Sequence, residues 1–199
     1  MSAVPKPRLT PAEYLAKERA ADFKSEYLRG EVFAMAGAKY PHTRVSSNLI
    51  AYLTIAFQGS PYYALNSDMR VKVSATGLYT YPDVILMCGP PELEDHHGDT
   101  LLNPHVVFEV LSDSTEKYDR GKKFEHYQAV PSLREYVLVA QDAVRVERYV
   151  RQPDETWVLT IFRDPAGDFT LATAPARVRL ADVYRGVTFA PEPTEPGGT

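Results

Sequence analysis

The sequence predicts a mixed α/β (α+β) sandwich, and three observations predict it. Short apolar runs bounded by Pro, Gly and Ser, at 82–88, 106–111 and 135–139, read as strands buried on both faces. Val45, Leu49, Ile50, Leu53 and Phe57 recur at helical spacing. Residues 143–150 and 156–162 alternate as an antiparallel meander does. Helix, strands, helix and strand in that order make a sheet with helices packed on it.

The elements follow in chain order. Residues 2–8, rich in Pro and basic residues, read as a tail, so the folded unit is expected at 10–189, between tails at 1–9 and 190–199. Thr10-Pro11-Ala12-Glu13 is a helix start: Thr at the N-cap, Pro at the first helical position and Glu placed to close a capping box, with the helix running to about Ala20. Residues 23–36 read as a hairpin turning at Arg29-Gly30. An amphipathic helix over 42–57 ends at Gly59-Ser60-Pro61. Strands are expected at 62–65, 68–73, 82–88 and 106–111, then a helix over 115–129 with Phe124, Tyr127 and Val130 on a common side. The strand at 135–139 and the meander complete the order.

The 199 residues suit one domain with a sizeable core, and the 44% hydrophobic content is that of a globular chain. No stretch reaches the roughly 18 apolar residues of a membrane span. The opening Met1-Ser2-Ala3-Val4-Pro5-Lys6-Pro7 lacks the apolar core of a signal peptide, so the expected location is cytoplasmic. The single cysteine, Cys88, excludes an intramolecular disulfide and a multi-cysteine zinc site, and reads as a small buried hydrophobe at a strand end. A net charge of -4 gives no overall attraction for polyanions, so any phosphate contact must be local.

Two carboxylates break the apolar runs: Asp83 in Tyr81-Pro82-Asp83-Val84-Ile85-Leu86-Met87 and Glu109 in Val106-Val107-Phe108-Glu109-Val110-Leu111. A carboxylate there loses much of its hydration, which is costly unless a counter-charge, hydrogen bonds or a cation compensates. The two strands are joined largely by the polar loop 89–103 and are expected side by side, so the pair could hold one divalent metal. Mg²⁺ at such a pair keeps several waters, one of which could attack a phosphodiester. A cation near the phosphate is then wanted, and Lys117, Arg120, Lys122 and Lys123 lie on the helix that follows the Glu109 strand. Helical spacing puts Arg120, Lys123 and Tyr127 on one face and turns Lys122 away.

Pro82-Asp83, Phe108-Glu109-Val110-Leu111-Ser112, Asp119-Arg120-Gly121-Lys122-Lys123 with Tyr127, and Glu135-Tyr136-Val137-Leu138-Val139 together resemble the Uma-type family of putative restriction endonucleases, within the PD-(D/E)XK nuclease superfamily. The likeness extends upstream to Glu26-Tyr27-Leu28-Arg29-Gly30-Glu31 and to His42 with Asn48-Leu49, so it covers about residues 10–150. The resemblance implies a restriction-endonuclease-like mixed sheet flanked by helices, here with an added antiparallel meander near the C-terminus. It also implies a Mg²⁺- or Mn²⁺-dependent nuclease acting on nucleic acid, with DNA as the expected partner, and Asp83 and Glu109 as metal ligands. The superfamily pattern has a lysine two residues after Glu109, where this chain has Leu111. The Uma-type proteins resemble a version whose lysine sits on the following helix, which points to Lys123. Glu31 matches a glutamate of the family's early motif, as a further ligand or base, and His42 and Asp68 are additional candidates.

Each of these residues also has a purely structural reading. Asp83, following Pro82, could cap a turn; Glu109 could be ion-paired with Lys123 or Arg120; Lys123 could be solvated; Glu31 could be an exposed strand residue; and His42 could begin a helix. The rival function is a nuclease-fold binding module without turnover, acting through nucleic-acid or protein contacts. A glycosidase using Asp83 and Glu109 lacks an aromatic cleft, with Trp157 the single tryptophan. Asp95-His96-His97 sits among Pro, Gly and acidic residues and reads as an exposed loop. The meander could pair with a second copy, making a homodimer.

Overall fold

The structure, a computed structural model, describes residues 8–189. The tails expected at 1–9 and 190–199 therefore lie outside the described residues, except for Arg8 and Leu9. Leu9 is pinned, its N–H donating to the Gly30 carbonyl at 3.0 Å and its carbonyl accepting from the Tyr27 hydroxyl at 2.9 Å.

Helix α1, Pro11–Ala20, starts with the expected capping box between Thr10 and Glu13. It lays Tyr14 against Tyr27 with ring centroids 4.9 Å apart. Strands β1, Ser25–Leu28, and β2, Glu31–Ala34, form the hairpin, whose turn has positive φ at both Arg29 and Gly30, as a two-residue hairpin loop requires. Helix α2, Tyr40–Ala56, begins two residues before the expected start because Pro41 fits its first turn.

Next come β3, Tyr62–Asn66; β4, Arg70–Val73; β5, Leu78–Thr80; β6, Val84–Cys88; β7, Thr100–Leu101; and β8, Val106–Leu111. The helix expected over 115–129 is broken into α3, Glu116–Tyr118, a π turn, Asp119–Lys123, and α4, Phe124–Gln128. Then follow β9, Glu135–Ala140; β10, Val146–Arg151; β11, Trp157–Phe162; the hairpin β12, Asp168–Thr170, with β13, Arg177–Arg179; and α5, Leu180–Val183.

The main sheet has six strands in the order β11-β10-β9-β8-β6-β3. Within this sheet only β8 and β9 pair in parallel, because a helical crossover joins them, whereas β9, β10 and β11 form the antiparallel meander. A second sheet, β2-β1-β5-β4-β7, packs beside the crossover.

Every residue of β8 is buried. Its alternation sends Val106, Phe108 and Val110 toward α2, the β12–β13 hairpin and α5. Val107 and Leu111 face the second sheet and the Phe124–Leu133 segment. Glu109 shares that second side. Cys88 departs from expectation: it is exposed, since it is the last residue of β6 and extends past the covered part of the sheet. No helix among the described residues is long and apolar enough to cross a membrane.

Candidate active site

The register of β6 against β8 pairs Val84 with Phe108, and continuing it by one residue sets Asp83 opposite Glu109. Directly opposed antiparallel residues have Cβ atoms about 4.5–5.5 Å apart and point to one side of the sheet. Asp83 Oδ2 accepts from the Val110 N–H at 2.7 Å and faces His42 Nε2 at 3.2 Å. His42 reaches it from the first turn of α2. The expected approach of the two carboxylate strands is thus present. So is part of the structural reading, since Asp83 does satisfy a backbone N–H, on the neighbouring strand.

Glu109 is 3% exposed, and its Oε1 lies 2.9 Å from Lys123 Nζ. Tyr127 donates its hydroxyl to the same oxygen at 3.3 Å. The Lys123 ammonium also faces Asp119 at 3.4 Å and Glu26 at 3.5 Å. The Glu26 carboxylate in turn accepts a hydrogen bond from Thr80 on β5. Tyr136 of β9 donates to the Asp119 carbonyl at 2.9 Å and so ties the π turn to the sheet. One buried lysine therefore serves three carboxylates supplied by β1, β8 and the π turn.

Electrostatics follow from that count. Burial disfavours the Lys123 ammonium, but Glu109, Glu26 and Asp119 outweigh it and hold its pKa well above the ordinary lysine value. Burial pushes the Glu109 carboxyl well up; Lys123 opposes this, while Asp119 and Asp83 add to it. Asp119 is raised by burial against the pull of Lys123, with Asp83 again adding. Burial disfavours the His42 imidazolium, yet the hydrogen bond and charge of Asp83 carry its pKa above the usual value. Asp83, Glu109 and Asp119 thus repel one another across a desolvated space.

The residues suit a small hard cation that retains water. Among the described residues, Asp83 Oδ1 and Glu109 Oε2 accept no hydrogen bond, so each carboxylate keeps one oxygen for another partner. No group of three or more His, Cys, Asp or Glu among the described residues is arranged as a metal cage. Mg²⁺ takes one or two carboxylates and keeps several waters, so two oxygens of this kind match its needs and a full cage is not required.

The other expected residues lie apart. Glu31, on the exposed strand β2, has a 60% exposed side chain and pairs with Arg8 at 3.8 Å; the structure does not bring it into the cluster. Glu26, five residues earlier in the same motif, occupies that place. Asp68 is at the surface, 2.6 Å from Lys24. Arg120 corrects the expected three-residue face: it pairs with Glu116 at 2.8 Å and with Glu147, because the π turn rotates it away from Lys123 and Tyr127. Lys122 points outward to Glu125 as expected. His96 and His97 are exposed, beside Asp95, which Arg19 holds at 2.8 Å. Sequence reasoning missed Glu26 and Asp119 as partners; the one available signal was that Asp119 lies four residues before Lys123.

The sequence and the fold both have counterparts among known proteins. The chain is 38% identical over 152 residues to the uncharacterized protein sll1609 of Synechocystis sp., covering 76% of this chain and 86% of that one. It is 34% identical over 188 residues to the uncharacterized protein slr1290 of the same organism, covering 94% and 97%. Its fold is similar to the crystal structure of a putative nuclease belonging to DUF820 from Anabaena variabilis, with a TM-score of 0.71 at 17% identity over 88% of this chain and 97% of that one. The sequence profile of Uma2, described as putative restriction endonuclease, matches residues 11–181, and the chain belongs to that family.

Proposed function

We propose that the protein hydrolyses phosphodiester bonds in DNA with a Mg²⁺ or Mn²⁺ ion held by Asp83 and Glu109. The observation that carries this reading is the pairing of these two carboxylates across β6 and β8, with the Lys123 ammonium 2.9 Å from one of them. The ion, when bound, polarises a phosphoryl oxygen and makes a bound water more acidic. Each residue of the chain has its own part. His42 holds Asp83 Oδ2, which leaves the other carboxylate oxygen for the ion. Tyr127 and Lys123 hold Glu109 Oε1 in the same way. Lys123 donates to a non-bridging phosphate oxygen where negative charge develops, and Glu26 and Asp119 keep it charged and in place.

One observation favours the rival reading of a binding module without turnover: the ammonium is already engaged by three carboxylates. Two measurements separate the readings. Purified protein with Mn²⁺ should nick plasmid DNA, and calorimetry should show Mn²⁺ binding. Asp83→Ala and Glu109→Ala should each abolish both while the circular dichroism spectrum is unchanged. Nicking that survives both substitutions or a chelator sinks the mechanism, and DNA binding with neither metal binding nor nicking supports the module.

A further inference from the structure

Strand β11, Trp157–Phe162, is an outer edge of the main sheet. The bonds around it fix the direction of its backbone groups. Across the β10–β11 turn the Gln152 N–H donates to the Thr156 carbonyl at 2.8 Å, so in this register Val158, Thr160 and Phe162 complete the ladder with β10. On the other side of β10 the Arg151 N–H donates to the Arg134 carbonyl at 2.9 Å, which sets the same alternation from β9. The N–H and C=O groups of Trp157, Leu159 and Ile161 therefore point away from the sheet, and among the described residues nothing outside the ladder bonds to them.

Edge strands are ordinarily blunted by a charge, a proline, a bulge or a covering segment. Among the described residues β11 has none of these: its six residues include no charge and no proline, and its register with β10 runs unbroken. Its side chains are apolar on both faces, with Val158 50%, Leu159 43% and Ile161 37% exposed. A row of unpaired backbone donors and acceptors calls for another strand rather than a lipid or a base, because a strand presents the complementary groups at the same spacing.

We propose that β11 pairs antiparallel with β11 of a second copy of this chain, about a two-fold axis passing beside Leu159. The occupant is a second copy because in that register the strand is its own complement. Leu159 faces the partner's Leu159 and Trp157 faces the partner's Ile161, so all three outward residues exchange N–H···O=C bonds and their side chains meet on one face. On the other face Val158 meets the partner's Thr160, and no like charges oppose one another within the strand. A shift of two residues either way leaves Trp157 or Ile161 without a strand residue opposite. At each end of the seam Arg163, exposed and without an ion pair among the described residues, comes alongside the partner's β10–β11 turn, which carries Glu155. The seam lies three strands from β8, so the pairing leaves the Glu109 cluster uncovered and stands whether or not the chain cuts DNA.

Sedimentation velocity of the full chain at about 50 μM, where an association of micromolar strength is populated, should show a dimer. Leu159 is exposed, so Leu159→Lys and Leu159→Glu leave the core alone. Each sets like charges opposite one another on the axis, so each variant by itself should sediment as a monomer, with its dissociation constant raised at least about tenfold. Mixed in equal amounts the two variants should dimerise again, because a lysine then faces a glutamate across the seam. That rescue depends on Leu159 meeting its own counterpart and reads the register directly. A monomeric parent, a dimer that survives either single substitution, or a mixture that stays monomeric overturns the proposal.

Discussion

Replacing Lys123 with methionine probes the centre of the candidate site. The substitution keeps the length of the side chain and removes the ammonium that Glu109, Asp119 and Glu26 share at 2.9, 3.4 and 3.5 Å. At an effective dielectric constant of about 20, the closest contact alone is worth about 6 kcal/mol of gross attraction. Lost hydration of two almost fully buried ions offsets most of that, so the pair itself adds little net stability. Deleting one member is different, because it leaves buried carboxylates facing one another without a cation. The expected loss is about 3–5 kcal/mol, a large share of the total for a domain of this size. Urea unfolding followed by circular dichroism should show the midpoint falling with the slope unchanged. Lys123→Met combined with Glu109→Gln should recover about 2 kcal/mol, because the double variant no longer buries the closest charge. Calorimetry adds an independent arm: Mn²⁺ affinity should rise in the single variant, since a competing positive charge has gone, while plasmid nicking is lost. A loss of stability below about 1 kcal/mol, or a double variant no more stable than the single one, refutes the picture of one lysine neutralising a buried acidic cluster.

Two further predictions test the surroundings of the site. Asp99 is held well below the usual carboxylate range, chiefly by its hydrogen bonds to Arg19, with Arg70 and Thr100 adding. Its contribution is therefore fully present above the unfolded-state value near pH 4 and is lost as the pH falls through its folded-state pKa. Because the side chain is 34% exposed, Asp99→Asn should cost only about 1 kcal/mol at pH 7, and the difference from the parent should vanish in strong acid when melting is compared across pH. Glu31→Ala should change stability by less than about 0.5 kcal/mol and leave nicking unaltered, whereas Glu26→Ala should lower nicking, since only Glu26 touches Lys123.

The legible parts of the fold were those with long-period signals. The run from Val45 to Phe57 announced α2, and the central strands β6, β8 and β9 announced themselves by their apolar character, so an acidic residue inside or beside one stood out. That is why Asp83 and Glu109 were readable. The second sheet was legible only in part: its hairpin β1–β2 and strand β4 were expected, but β5 and β7 have three and two residues and too little pattern to register. Glu26 sits on that sheet, where its contact with Lys123 depends on a pairing the sequence does not advertise, and the motif's more conspicuous glutamate, Glu31, was named in its place. The hairpin at 168–179 went unread for the same reason. Cys88 was misplaced because its apolar neighbours imply burial, while the residue itself lies one position past the cover.

The π turn was invisible in the sequence and has the largest consequence. In a regular α-helix Arg120, Lys123 and Tyr127 would share one face, and two cations would converge on the carboxylates beside Glu109. One extra residue in the turn separates them. Lys123 and Tyr127 stay on Glu109, while Arg120 turns to Glu116 and Glu147. Had both cations stayed, the cluster around Glu109 would carry one more positive charge and attract a divalent ion less. A single backbone irregularity, clamped by the Tyr136 hydroxyl on the Asp119 carbonyl at 2.9 Å, thus leaves one cation of this helix on the acidic cluster around Glu109 and sends the other to Glu116 and Glu147. Tyr136→Phe removes that clamp with almost no change in shape, so Mn²⁺-dependent nicking should weaken while stability falls by about 1 kcal/mol, as measured by urea unfolding. Unchanged nicking in that variant would mean that the π turn holds Lys123 in place without the clamp.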